Sequence, residues 1–250
     1  MSLVEGDIHG KPERFSSDLF IEGKELTKDD YVIILGDVGL VWDYQGENKN
    51  EKYWLDWLNN KPWTTLFIDG NHENHDRLKT YPVSEWHGGK VHFIRPNVIH
   101  LMRGQIFIIE NQKFFTMGGA PSHDIQDGIL DPSDPNFKET YKKWSRDPYK
   151  MFRVLGVSWW PGEIPSKDEW KEGYKNLDKV NWKVDYVLTH EAPASDVSFL
   201  SIFPPTEMSI ELERIRWDLN YKHWFFGHYH LDRRINDKEE VFYETIRRIL

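Results

Sequence analysis

Two histidines near the end of the chain follow a short apolar run. The stretch FFGHYH places His228 and His230 directly after Phe225 and Phe226, with a single glycine between them. In an extended chain, residues two apart project from the same face, so both imidazoles would point one way at the end of a strand. Taken alone, the pair also fits two surface histidines on a loop. A chemical role therefore depends on the rest of the chain.

Four other apolar runs also end in side chains that can bind metal ions. In chain order the five runs are followed by Asp7 and His9, by Asp37, by Asn71 and His72, by His190, and by His228 and His230. Each fragment is a weak signal, because a Gly-Asp-x-His-Gly stretch can be a plain turn and an Asn-His pair can make ordinary hydrogen bonds. Binding sites in open α/β sheets collect at the carboxyl ends of strands. Together the fragments predict one site.

The hydrophobic pattern predicts the elements that position this site. Continuous apolar runs within residues 31–37, 64–74, 184–193 and 222–230 are typical of buried strands. Apolar residues at helical spacing predict a helix over 51–60. Pro12 suits a first helical turn, with Phe15 and Leu19 on one face. Ser166 and Glu169 have the spacing of a capping box, which predicts that another helix begins there. Residues 106–119 are typical of a hairpin that turns near Asn111-Gln112. This order favours one α/β sandwich over two domains.

Composition limits the possible chemistry and partners. The 250 residues include no cysteine, which excludes disulfides, thiolate metal sites and cysteine nucleophiles. A metal site would use His, Asp, Glu or Asn, which leaves Mn, Fe, Zn, Ni and Co open. The net charge of −9 argues against a long nucleic-acid partner but not against a small phosphorylated substrate held by a metal. With no signal peptide or apolar membrane span in the sequence, we expect a cytoplasmic protein without a membrane partner.

The motif blocks together resemble the calcineurin-like metallophosphoesterase superfamily. They are Gly6-Asp7-Ile8-His9-Gly10, Gly36-Asp37-Val38-Gly39, Gly70-Asn71-His72-Glu73, Thr189-His190 and Gly227-His228-Tyr229-His230, in the family's order across most of the chain. The resemblance implies a four-layer αββα sandwich with two mixed β-sheets and a dinuclear metal site at the strand ends. We expect a single domain over 1–250, with a variable insertion around 120–182.

The resemblance also implies a role for each residue of the site. Asp7, His9 and His230 would bind one metal ion, Asn71, His190 and His228 the other, and Asp37 would bridge them. Two divalent ions (Mn favoured) add +4 and the two aspartates −2, so the site would attract a phosphate anion. Ions about 3.5–4 Å apart can activate a water nucleophile and hold phosphoryl oxygens. His72 is assigned as the general acid, which suits an imidazole near neutral pH.

The predicted activity is hydrolysis of phosphomonoesters or phosphodiesters, and two alternatives remain. One is a nucleotide-directed hydrolase acting on dinucleoside polyphosphates or cyclic nucleotides. The other is a non-catalytic binding module on the same fold, although such a module is expected to lose ligands and this chain keeps all seven as well as His72.

Several positions depart from the family pattern or have two interpretations. Val41 and Trp42 stand where phosphoprotein phosphatases of this superfamily carry an arginine, so we do not expect phosphoprotein hydrolysis and the phosphate clamp is unassigned. His123 is a candidate substrate contact within a stretch that also fits a plain turn. Trp159-Trp160 could form a base-stacking platform or pack against the core. Glu5 is unexpected in a strand that should be buried.

Overall fold

The predicted strands form two mixed β-sheets in a computed structural model that describes residues 1–250. The strands are β1 (Ser2–Glu5), β2 (Tyr31–Ile34), β3 (Thr64–Phe67), β4 (Val83–Trp86), β5 (Gly89–Arg95), β6 (Val98–Leu101), β7 (Gln105–Ile109), β8 (Gln112–Met117), β9 (Gly128–Leu130), β10 (Phe152–Val154), β11 (Tyr186–Thr189), β12 (His223–Phe226), β13 (Arg233–Arg234), β14 (Glu239–Val241) and β15 (Arg247–Arg248). The larger sheet has the order β15-β1-β2-β3-β6-β5-β4, and the second has the order β13-β14-β12-β11-β8-β7. A third, two-stranded sheet pairs β9 with β10.

Six α-helices and three 3-10 turns connect these strands. The helices are α1 (Lys49–Asn59), α2 (His75–Leu78), α3 (Phe137–Trp144), α4 (Lys167–Lys179), α5 (Ala194–Leu200) and α6 (Glu207–Asp218). The 3-10 turns span Pro12–Phe15, Ile21–Glu25 and Pro161–Glu163. No helix of the chain is both long enough and apolar enough to cross a membrane.

Three hydrophobic cores separate the layers of helix and sheet. On β2, Val32 and Ile34 belong to a core shared with α1, whereas Ile33 belongs to a core between the two sheets. This alternation is the period-two pattern of a strand that is buried on both faces. On β12, Phe225 faces the central core and Trp224 joins a third core with α4 and α6. Helices thus cover the outer faces of two packed sheets, in agreement with the predicted mixed α/β architecture.

Local predictions for the hairpin and the helix start are confirmed. Strands β7 and β8 pair antiparallel, and Glu110 and Asn111 between them both have positive φ, as the tight turn of a hairpin requires. The Ser166 side chain accepts a hydrogen bond from the Glu169 N–H, and the Glu169 carboxylate bonds back to the Ser166 N–H. Helix α4 therefore begins with the capping box that the sequence predicts.

One prediction near the N-terminus is wrong, and one small sheet is missing from the predictions. The helix after Pro12 is a single 3-10 turn, and Leu19 is 72% exposed while Phe15 is buried, so the two side chains do not share a buried face. The small β9–β10 sheet was also not predicted. It lies in the 120–182 region, which also contains α3 and α4. Its three-residue strands are too short to give a period-two signal.

Glu5 is buried at the end of β1, and Arg14 explains how a carboxylate is tolerated there. The Arg14 Nη1 lies 2.9 Å from the Glu5 Oε1, and the same guanidinium donates to the backbone oxygen of Tyr243. Burial raises the pKa of Glu5 to about 8, and the neighbouring Arg14 opposes this shift. The unexpected residue is thus in contact with a guanidinium from the turn that follows β1.

Candidate metal centre

The candidate ligands meet because their strands are neighbours within each sheet. Strands β1, β2 and β3 pair in parallel, and so do β11 and β12, so the carboxyl ends of each set lie along one edge. The backbone N–H of Gly227, after β12, donates to the oxygen of His190, after β11. The strand ends that carry the candidate ligands therefore lie along one edge of each sheet.

The ligand atoms form two clusters at this edge. In one, the atoms of Asp7, His9 and His230 lie within 4.8 Å of one another, and in the second those of Asp37, His190 and His228 do so. The His230 Nε2 lies 3.3 Å from the Asp7 Oδ2 and 2.9 Å from the His9 Nε2. The His190 Nε2 lies 3.2 Å from the Asp37 Oδ1.

Asp37 lies between the two clusters. Its Oδ2 is 3.9 Å from the His9 Nδ1, while its Oδ1 faces His190. A third group of the same compactness contains His9, Asp37 and His72. The arrangement allows Asp37 to serve both clusters. It also brings His72 close enough to act as a ligand, a position that its role as general acid does not require.

Four candidate ligands each present a free oxygen or nitrogen atom that could bind a divalent cation. These buried atoms have no hydrogen-bond partner in the protein: the Asp7 Oδ2, the Asn71 Oδ1, the His190 Nε2 and the His228 Nε2. More than nine in ten buried polar groups in proteins are hydrogen-bonded, so four such atoms in one place require an explanation. Carboxylate, amide oxygen and imidazole nitrogen together match the preferences of Mn²⁺, Fe²⁺ and Zn²⁺.

Neighbouring groups orient two of these ligands through their other polar atoms. The His190 Nδ1 lies 2.6 Å from the backbone oxygen of Leu35, which leaves Nε2 to face the cluster. The Asn71 Nδ2 donates to the Ser122 Oγ at 3.3 Å, so the Asn71 Oδ1 is the free atom. Ser122 in turn donates to Glu163. Such outer contacts fix which atom of a ligand is presented to a metal ion.

Backbone amides orient the two aspartates. The N–H of His228 donates to the Asp7 Oδ1 at 3.1 Å, and the N–H of His72 donates to the Asp37 Oδ1 at 2.7 Å. The buried Glu73 carboxylate accepts the N–H groups of Gly39 and Gly70 and so ties together the loops after β2 and β3. The loops that carry the ligands are therefore held by hydrogen bonds between strand ends.

Half of the eight motif residues of the site have a backbone in the left-handed region. The four non-glycine residues concerned have φ between 45° and 72°: His9, Asp37, His228 and His230. This conformation is costly for non-glycine residues and concentrates at functional sites. A Cβ on Gly36, which has a φ of +100°, would lie 2.3 Å from the His190 Nδ1, and one on Gly227 would lie 2.4 Å from the Asp7 Oδ1. These two glycines allow the ligands to approach.

The electrostatics at the site favour a bound positive charge. Burial lowers the pKa of His190, but the adjacent Asp37 and Asp7 outweigh burial and raise this pKa to about 10. For Asp37, burial acts upward and the surrounding histidines, His190 above all, bring its pKa well below the usual value. The two carboxylates thus hold a proton on His190, and a metal ion bound there would displace it.

His72 lies at the edge of the clusters and contacts a residue from the 120–182 region. Its Nε2 is 3.9 Å from the Asp37 Oδ2 and 3.1 Å from the Nη2 of Arg153. Because a guanidinium can only donate, the His72 Nε2 must be the acceptor. Burial lowers the pKa of His72 to about 4, with Arg153 acting in the same direction and Asp37 against it. Here His72 is a neutral acceptor.

The other predicted site residues lie in different surroundings. The ring of His123 is 4.9 Å from that of His228 and stacks on Phe203, so His123 lies beside the second cluster. Trp160 is 2% exposed and its ring meets Trp42 edge-on at 5.1 Å. Trp160 therefore packs in the interior and leaves no face for a nucleobase.

Ser122, Glu163 and Arg153 are the residues at the site that sequence reasoning missed. Ser122 directly precedes the candidate His123, and this adjacency is a local signal for its position near the site. Arg153 forms part of a short strand, 81 positions away from His72, and nothing in its local pattern indicates a contact with the site.

Comparison with known proteins identifies the family of the chain. A family model described as calcineurin-like phosphoesterase matches residues 2–232, so the chain belongs to the calcineurin-like phosphoesterase family. No curated protein matches the sequence. The family consists in general of metal-dependent phosphoester hydrolases.

Proposed function

We propose that this protein is a metal-dependent phosphoesterase with a dinuclear centre that hydrolyses phosphomonoesters or phosphodiesters. The observation that carries the proposal is the grouping of six ligand-type side chains in two compact clusters, with Asp37 placed to serve both. Asp7, His9 and His230 would hold one ion, Asn71, His190 and His228 the other, and Asp37 both. When bound, two such ions supply Lewis acidity and a water of lowered pKa for in-line displacement at phosphorus.

The chain's own charges prepare the site for an anionic substrate. Among the candidate ligands, Asp7 and Asp37 carry one negative charge each. The asparagine and the neutral histidines carry none. Two divalent ions leave the loaded site with a net positive charge inside a protein whose formal charge is −9. Arg153 adds a further cation at the rim. A phosphate group would thus be attracted to this edge despite the overall negative charge.

Metal content and activity, measured together, test the proposal. Chelation should abolish hydrolysis of aryl phosphomonoesters and phosphodiesters, and Mn²⁺ or a similar ion should restore it. Elemental analysis should find the largest loss of metal in Asp37→Asn and the loss of about one ion in His230→Ala. His87→Asn, at an exposed histidine outside the site, is the control and should keep both ions. Full activity in metal-free protein would refute the proposal.

The role of His72 can be tested separately from metal binding. As a general acid, His72 would need a proton on Nε2, the atom that accepts the hydrogen bond from Arg153, so that bond must break first. His72→Ala should keep both ions and lose about 10²–10⁴ in kcat on esters with poor leaving groups. The loss should shrink for nitrophenolate, which needs little protonation. Equal losses on both leaving groups, or loss of an ion, would assign His72 to positioning or metal binding instead.

A further inference from the structure

Arg153 places a guanidinium next to the candidate metal centre from outside the motif blocks. It lies in β10, in the two-stranded sheet of the 120–182 region, and its side chain is 11% exposed. Its Nη2 is 3.1 Å from the Nε2 of His72, which itself lies 3.9 Å from the Asp37 Oδ2. Among the arginines and lysines of the chain, Arg153 alone hydrogen-bonds a side chain of the site (the eight motif residues from Asp7 to His230).

The guanidinium is oriented by three neighbours. The Asp124 carboxylate accepts from Nε at 2.8 Å and also from Nη2, and the backbone oxygen of Ser158 accepts from Nη1 at 3.1 Å. The ring of Trp42 lies beneath, with its centroid 5.7 Å from the Arg153 Cζ. A guanidinium has five N–H groups, so after the bonds to Asp124, His72 and Ser158 one N–H on Nη1 remains uncommitted.

The charge of Arg153 is compensated incompletely. Asp124 is its one acidic partner, and the Asp124 side chain is 47% exposed. Water screens an ion pair of this kind, which weakens the competition between Asp124 and an incoming anion. The His72 nitrogen is a neutral acceptor that a phosphoryl oxygen can replace with a stronger, charge-assisted bond.

We propose that Arg153 binds the phosphoryl group of the substrate and so supplies the cation that the segment after Gly36-Asp37 lacks. Trp42 occupies that segment, and its ring supports the Arg153 side chain from below. The uncommitted N–H and the N–H now given to His72 are two donors on one rigid plane, which matches the paired oxygens of a phosphate. This assignment rests on the proposed phosphoesterase function and identifies the residue that binds the substrate's charge.

Binding of inorganic phosphate to the metal-loaded protein tests the assignment without relying on turnover. Isothermal titration should show that Arg153→Met weakens phosphate binding by about 10- to 100-fold, the loss of a charge-assisted hydrogen-bond pair. Metal content by elemental analysis should be unchanged. Lys150→Met is the matched control, since Lys150 pairs with Asp127 in the same region without contacting the site, and it should bind phosphate like the wild type.

Arg153→Lys decides the question if Arg153→Met does not fold. It keeps a cation but cannot form a planar pair of bonds, so phosphate affinity should fall to a value between those expected for the wild type and Arg153→Met, with an increase in KM for an aryl phosphate. Unchanged phosphate affinity in a folded Arg153 variant would overturn the assignment, as would loss of metal, which would make Arg153 a support for the ligands. If the wild type binds metal and hydrolyses esters in those cases, the proposed function stands without this assignment.

Discussion

Asp69, which directly precedes the Gly70-Asn71 block, forms a buried ion pair whose loss should be costly. The Arg103 Nε donates to the Asp69 Oδ2 at 2.8 Å, and the His100 Nε2 lies 3.0 Å from Oδ1. The Asp69 side chain is fully buried and that of Arg103 is 5% exposed. Burial opposes the charge on Asp69, but Arg103 and His100 outweigh it and keep the pKa of Asp69 far below its usual range.

Asp69→Asn keeps the shape of the side chain and leaves the Arg103 charge buried without its main partner. Removing one member of a buried pair costs about 3–5 kcal/mol. Glu169, whose Oε2 is 3.5 Å from the Arg103 Nη1, gives partial compensation, so we expect the lower end, about 3 kcal/mol. For a chain of this length each kcal/mol lowers Tm by roughly 2–4 °C, which predicts a decrease of about 6–12 °C.

Thermal unfolding followed by circular dichroism measures this decrease. The control is Asp237→Asn, which removes a carboxylate that pairs with Arg234 in full exposure to solvent and should leave Tm unchanged. The double variant Asp69→Asn/Arg103→Met removes both charges and should recover part of the lost stability. A Tm for Asp69→Asn equal to that of Asp237→Asn would refute the interpretation of Asp69 and Arg103 as a strongly coupled buried pair.

Three further predictions concern the site and the pH dependence of stability. Gly227→Ala places a Cβ 2.4 Å from the Asp7 Oδ1, so it should bind metal more weakly than the wild type in a chelator competition assay. Burial, together with the nearby Glu239, raises the pKa of Asp196 to about 6 against the effect of Arg216, so the folded state holds a proton that the unfolded state loses. The stability in urea of the wild type relative to Asp196→Asn should therefore fall by up to about 3 kcal/mol as pH rises from about 4 to 6. Phosphoserine peptides should have a lower kcat/KM than aryl phosphoesters, because the segment with Val41 and Trp42 lacks the arginine of phosphoprotein phosphatases and Arg153 reaches the site from a different region; comparable values would contradict this.

The strands and their terminal ligands could be predicted because their signals are local. A buried strand such as β2 or β12 is a continuous apolar run, and the residues that follow it must leave the sheet at its edge. The glycines of the motif blocks mark close approaches that other residues cannot allow, as at Gly36 and Gly227. Sequence pattern and structure therefore agree where chain geometry alone determines the position of a side chain.

Partners that compensate buried charges could not be predicted in the same way. Arg14 pairs with Glu5 and Arg103 with Asp69 through contacts between separate elements, so no spacing along the chain indicates them. The error at Leu19 has a related cause, because a pattern that fits an amphipathic helix does not show whether the chain continues as a helix after one turn. In each case contacts between distant parts of the chain select one arrangement among several that fit the local sequence equally well.

Arg153 is a residue at the site whose position depends on tertiary packing and not on local sequence pattern. The ligands lie at strand ends, where the sheets fix their positions, whereas Arg153 reaches His72 from a small sheet in the 120–182 region. A change in that region can move or remove the guanidinium without disturbing Asp37 or the strands behind it. On our proposal, the sheets place most of the metal ligands, and a residue of the 120–182 region recognises the substrate's charge. Substrate preference would then differ between relatives that share every motif block, which is why those blocks indicate the chemistry without naming the substrate.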